Sequence, residues 1–203
     1  MKWQIKKLGA YYRDRLKWPL VGCVAGFLLF SVLSTVFFTV RSDLAASLMQ
    51  FFMDSVGENI LSDSGELSML PLLLNNLRAC LVSVLLGFIP FFFIPALSVL
   101  INAGIIGAVL AVSARGGIPI WLTVLVGLLP HGIFELPALF LGFSLGVSLC
   151  LTMTKSVVRL DGSAITAELK NIVRVYLLNI LPLLVIAAAV ECYVTPLLLS
   201  SVM

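Results

Sequence analysis

"IPIWLTVLVGLLPHGIFELPALFLGFSLGVSLCLTM" runs from Ile118 to Met153, 36 residues in which Glu135 is the only charged side chain. A helix needs about 20 apolar residues to cross a bilayer core of about 30 Å. This stretch is therefore too long for one crossing and tight for two, and the choice fixes the fold. Charge arbitrates, because lysine and arginine collect on the cytoplasmic side. Ahead of it, residues 1–17 carry Lys2, Lys6, Lys7, Arg13, Arg15 and Lys17 against Asp14. Behind it, residues 155–174 carry Lys155, Arg159, Lys170 and Arg174 against Asp161 and Glu168. Spans at 18–40, 72–89 and 96–114 bring residue 118 to the outer side if 1–17 lie inside. A single crossing then returns 155–174 to the inside, whereas a double crossing strands that basic stretch outside. The prediction is an all-α, polytopic transmembrane helical bundle with five full spans, the last over 176–199. Residues 118–129 are expected as a short re-entrant or interfacial helix broken at Pro130, and the C-terminus as extracytoplasmic.

Composition supports the same class. The chain is 61% apolar and 11% charged over 203 residues, with a mean hydropathy of +1.13. No water-soluble fold hides that much apolar surface. The two-residue alternation of a membrane barrel strand is missing, which leaves helices as the spanning element. The net charge of +3 is small and sits at one end, so nucleic acid is not an expected partner and the lipid bilayer is. Cys23, Cys80, Cys150 and Cys192 are scattered singly, without the spacing of a zinc knuckle or redox pair, and read as packing residues.

The whole chain, 1–203, reads as one integral membrane domain with three polar parts. Residues 1–17 form a basic cytoplasmic arm with Trp3, Tyr11, Tyr12 and Trp18 at headgroup level. Residues 42–69 reverse the charge, with Asp43, Asp54, Glu58, Asp63 and Glu66 and no lysine or arginine. Leu44, Leu48, Phe51, Phe52 and Met53 recur there at helical spacing after a Ser42/Asp43 cap. This predicts an extracytoplasmic amphipathic helix, lying on the membrane or binding a partner. Residues 155–174 form a basic cytoplasmic loop. Between spans two and three, "FIPFFFIP" (88–95) interrupts the apolar run, since Pro90 and Pro95 cannot continue a helix. Gly22 and Gly26 in span one, and Ala103, Gly107 and Ala111 in span three, offer small faces for helix contact.

His131, the only histidine, stands four residues before Glu135. That spacing puts both on one helical face about 6 Å apart along the axis. The face continues through Ala138, Gly142 and Gly146, which suits close packing, so the pair is expected to point into the bundle. Pro137 removes one backbone bond and frees the carbonyl of Ile133 beside it. Asn75, Asn76 and Arg78 at the head of span two, and Glu191 in the last span, fall at similar depth in the outer half. Charged groups there cost at least about 2.5–3.5 kcal/mol each on insertion scales, so they are normally paired. The expected pairing is Arg78 with Glu135 or Glu191. Such a pair serves equally to hold helices together or to build a functional polar site. His131, Glu135 and Glu191 are also the candidate metal ligands, zinc being the ion considered, though His-x-x-x-Glu alone is an unspecific pattern.

Two stretches carry a resemblance. "LLLNNLRACLVSVLLGFIPFFFIPALSVLINAGIIGAVL" (72–110) and "LLPHGIFELPALFLGFSLG" (128–146) resemble the stage II sporulation protein M family, over about residues 18–199. The matching positions are the Asn-rich entry at Asn75 and Asn76, the glycines Gly104 and Gly107, and His131, Gly132, Glu135 and Ala138. The resemblance implies a multi-pass bacterial membrane protein. It further implies a scaffold, since the best-known member localises a peptidoglycan-degrading pair during engulfment. Envelope partners such as cell-wall hydrolases are then expected, and a homo-oligomer stays open. The chain shows no complete catalytic motif and implies no cofactor, so a non-enzymatic role is the first reading. The alternatives are a transporter or lipid-handling protein using the outer polar cavity, and an intramembrane metal-dependent hydrolase.

Overall fold

The computed structural model describes residues 8–57 and 68–202. Among them all regular structure is helical, and five helices are long and apolar enough to cross a membrane. In chain order these elements are α1 (Leu8–Val40), α2 (Ser42–Phe52), α3 (Met69–Leu86), α4 (Pro95–Arg115), α5 (Ile120–Arg159), α6 and α7 (Thr195–Val202). Helix α6 joins Ser163–Val175 to Leu181–Tyr193 through a wide turn at Tyr176–Ile180. The 118–153 stretch thus crosses once, and the chain is a five-span bundle. Lys2, Trp3, Lys6 and Lys7, with Glu58, Asp63 and Glu66, lie outside the described residues.

The break expected at Pro130 does not occur, because α5 runs unbroken through it. A proline ring clashes with the carbonyl four residues earlier. Here that carbonyl belongs to Val126, inside a π-helical turn over Thr123–Leu128 in which Leu129 N–H bonds Val124 C=O, five residues back. The wider turn makes room for the ring. The same device recurs twice. Pro19 follows the wide turn Tyr12–Leu16 and Pro182 follows Tyr176–Ile180, with the residue four back, Arg15 or Leu178, inside the turn each time.

Helix α5 is the central element, apolar on all sides as a helix surrounded by others must be. Phe143, Leu145 and Leu149 are fully buried there and pack against Val175, Ile180 and Leu184 of α6. Phe140 meets Phe27 of α1 edge-on at 5.1 Å between ring centroids. Glycine sets the closest approach to α3. A methyl at Gly142 would lie 2.7 Å from Cys80 Sγ, and one at Gly146 would strike the Ser83 carbonyl oxygen, with Pro95 Cβ at 2.9 Å. Gly107 of α4 stands likewise against Ser34 of α1, whose hydroxyl donates to the Ala103 carbonyl at 3.2 Å. A methyl at Gly104 would meet nothing. Nor do Gly22 and Gly26 make the helix contact expected of them. The tight α1–α4 approach is at Ser34, and toward Gly22 an apolar groove of about 420 Å³ opens between these helices and Val147 and Leu151 of α5.

The polar parts also differ from a loop-and-helix alternation. The basic stretch 155–174 is the end of α5, a turn at 160–162 and the start of α6. Leu160 takes the left-handed conformation that ends α5, at φ 53°. Asp161 then accepts the Ser163 N–H at 2.9 Å and its hydroxyl at 3.0 Å, which starts α6. Helix α2 forms where expected, but neither Ser42 nor Asp43 caps it. Asp43 instead pairs with Arg41 at 3.1 Å, on the exposed surface. The loop over 88–94 holds Phe91 and Phe93 at φ 70° and 48°. It is tied to α5 by the Phe91 N–H donating to Thr154 Oγ1 at 2.9 Å and by Cys150 Sγ donating to the Ile89 carbonyl at 3.3 Å.

Candidate functional site

At the α2 end of the bundle the spans α1, α3, α4 and α5 do not close completely. They leave a cavity of about 170 Å³ lined by Asn75 and Asn76 of α3, Asn102 of α4, and His131 and Glu135 of α5, with Phe52 of α2 over it. That is room for about five water molecules at ~30 Å³ each. The four-residue spacing does what the helix period requires, and His131 Nε2 lies 3.9 Å from Glu135 Oε2. The two groups are neighbours at a distance too long for a hydrogen bond. Glu191 reaches the pair from α6, so that one ligand atom from each of His131, Glu135 and Glu191 lies within 4.8 Å of the others.

The electrostatics of this cluster are lopsided. Two carboxylates within 4.8 Å, if both ionised, repel by at least about 3.5 kcal/mol at an effective dielectric of ~20. Among the described residues, no lysine or arginine lines the cavity. The Asn76 side chain lines the cavity together with Glu135. Asn102 spends its amide donor on the Ser98 carbonyl at 2.8 Å, leaving its oxygen uncommitted by that bond. His131 Nδ1 is buried with no hydrogen-bond partner.

Arg78 does not join them. It is exposed, and among the described residues it forms no ion pair, so the expected pairing with Glu135 or Glu191 is not made. The reason is rotational. At about 100° per residue Arg78 stands about 200° around α3 from Asn76, the residue that faces Glu135. The structure therefore brings together Asn75, Asn76, His131, Glu135 and, from behind, Glu191. Gly142 and Gly146 lie further along α5 and set its distance from α3.

A second buried polar group lies at the opposite end, and the sequence reading passes over it. Glu168 of α6 is 3% exposed. Its Oε1 accepts hydrogen bonds from the Tyr11 hydroxyl at 2.7 Å and the Ser148 hydroxyl at 2.6 Å. A signal exists. Glu168 shares its helical face with Ile165, Ile172 and Val175, so a carboxylate occupies an apolar-face position. An open pocket beside it is edged by Arg15, Lys170 and Arg174.

The family model described as Stage II sporulation protein M matches residues 20–196. The chain belongs to the stage II sporulation protein M family. The match spans all five membrane helices, and with them every residue of the polar cavity, as a stage II sporulation protein M unit. No curated protein and no solved structure matches the chain.

Proposed function

We propose that the protein is a membrane scaffold of the stage II sporulation protein M type, holding peptidoglycan-remodelling envelope proteins at the outer face of a bacterial membrane. The observation that carries this reading is α2, an amphipathic helix at the opposite end from most of the basic side chains, with Arg41 at its head paired to Asp43. Its Ala45 is buried while Leu44 and Phe51, and Met53 just beyond it, are exposed beside Asp43 and Asp54. Arg13, Arg15, Lys17, Lys155, Arg159, Lys170 and Arg174 belong to the other end, which the positive-inside rule assigns to the cytoplasm. The N-terminus is then inside, the C-terminus outside, and α2 presents an apolar and acidic surface to the cell-wall side. A basic, partly apolar surface on a wall hydrolase is its complement.

Photo-crosslinking from Phe51 and Met53 in host membranes tests this. A peptidoglycan-degrading protein should appear among the adducts, and lipid adducts alone at both positions would refute the scaffold. The polar cavity favours a second reading, a lipid-handling protein or transporter, because it is a membrane-embedded chamber lined by three amides, an imidazole and a carboxylate. For that reading, a lipid or small solute should co-purify with the wild type and be lost from Glu135→Gln.

A further inference from the structure

We propose that His131, Glu135 and Glu191 bind one divalent transition-metal ion of the zinc type, in the membrane and against the polar cavity. The inference is independent of the scaffold reading. One imidazole and two carboxylates are a recognised donor set for zinc and its neighbours in the first transition row. Their ligand atoms already lie within 4.8 Å of one another. Donor atoms about 2.0–2.2 Å from a tetrahedral ion are separated by roughly 3.5 Å, so closure needs side-chain adjustment and no backbone movement.

Three further observations point to a cation. The two carboxylates carry a charge of minus two when ionised, and among the described residues no lysine or arginine lines the adjoining cavity to offset it. A divalent ion neutralises that charge where lipid cannot solvate it. The histidine is unfinished, since Nε2 is 3.9 Å from Glu135 and Nδ1 has no partner although it is buried. The cavity, which His131 and Glu135 line, adjoins the cluster and leaves room for a fourth ligand such as water. The ligands come from α5 and α6, so the ion clamps the last two spans together.

The test uses the full-length protein purified in detergent without chelator. Elemental analysis should find about one zinc per chain. After stripping and reloading with zinc, His131→Ala, Glu135→Gln and Glu191→Gln should each weaken binding at least about tenfold. Glu168→Gln, a buried carboxylate at the other end, should bind as wild type. Zinc should also raise the melting midpoint of the stripped wild type. Should a ligand variant fail to fold, X-ray absorption on the zinc-loaded wild type decides, with one imidazole and oxygen neighbours expected. Zinc well below one per chain, unchanged binding in all three variants, or sulfur ligation by Cys80 or Cys192 would each overturn the site. Equal loss in Glu168→Gln would mark the binding as nonspecific and overturn it too.

Discussion

Substituting alanine for Gly146 sets two known effects against each other. In a helix interior, Gly→Ala is worth about 0.8–1.0 kcal/mol in favour of the alanine. At Gly146 the added methyl meets backbone: the carbonyl oxygen of Ser83 and, at 2.8 Å, its carbonyl carbon, with Pro95 Cβ at 2.9 Å. A carbonyl cannot rotate away as a side chain can, so α3 and α5 must separate. Overpacking of this kind costs about 1–3 kcal/mol, and contact with backbone on one side and a proline ring on the other belongs near the upper end. Taking about 3 and subtracting about 1 leaves Gly146→Ala roughly 2 kcal/mol less stable. At Gly104 and Gly26 a methyl meets nothing within 4 Å, so the same change should stabilise by up to about 1 kcal/mol. The opposite signs make the comparison sharp. Reversible unfolding of the three variants in mixed detergent–SDS micelles reads them directly. If Gly146→Ala is as stable as Gly104→Ala, the close approach of α3 and α5 is not as described.

The remaining predictions concern the charged groups. Glu168→Ala leaves the Tyr11 and Ser148 hydroxyls buried without an acceptor and should cost about 3 kcal/mol or more in the same unfolding assay, at ~1.5–3 per charge-assisted bond. Glu168→Gln keeps an acceptor and should lose less. Glu135→Leu removes a charge from the membrane and should insert at least as well as wild type, judged by membrane fractionation. It should nonetheless fail to complement a deletion strain, and full complementation would contradict a functional cavity. The Asp161 carboxyl is held below its usual range chiefly by the Ser163 N–H and then by its hydroxyl. A depressed carboxyl stabilises above its unfolded value of about 3.9 and loses that contribution as pH falls through the folded one. The protection of the Ser163 amide, its exchange rate relative to that of the unfolded chain at the same pH, should therefore hold at neutral pH and fall only below about pH 4.

The five spans are legible because two simple quantities, length against bilayer thickness and the side on which lysine and arginine fall, both bear on one ambiguous stretch. The pairing of His131 with Glu135 on one face is legible for a similar reason, since spacing within a helix fixes it. What escapes the sequence is anything that depends on how helices are rotated and how far apart they stand. Arg78 and Asn76 are two residues apart and face different ways. Gly142 and Gly104 look alike in sequence, yet one touches Cys80 and the other meets open space. Pro130 reads as a break because the proline rule assumes an ordinary α-turn before it, and a wider turn there is a local relaxation with no sequence marker. Glu168 is readable from its apolar neighbours, but its partners, Tyr11 and Ser148, lie 157 and 20 residues away.

That last separation bears on how the protein is made. The ribosome delivers Tyr11 first, Ser148 much later and Glu168 after both. Until the sixth helix emerges, the hydroxyls on the first and fifth have no carboxylate to bond. The bundle is therefore not closed until its last span packs back against its first and fifth helices. A nascent chain stopped short of α6 exposes two unmet hydroxyls inside an otherwise greasy assembly, a distinguishing mark by which membrane quality control can tell an incomplete copy from a finished one.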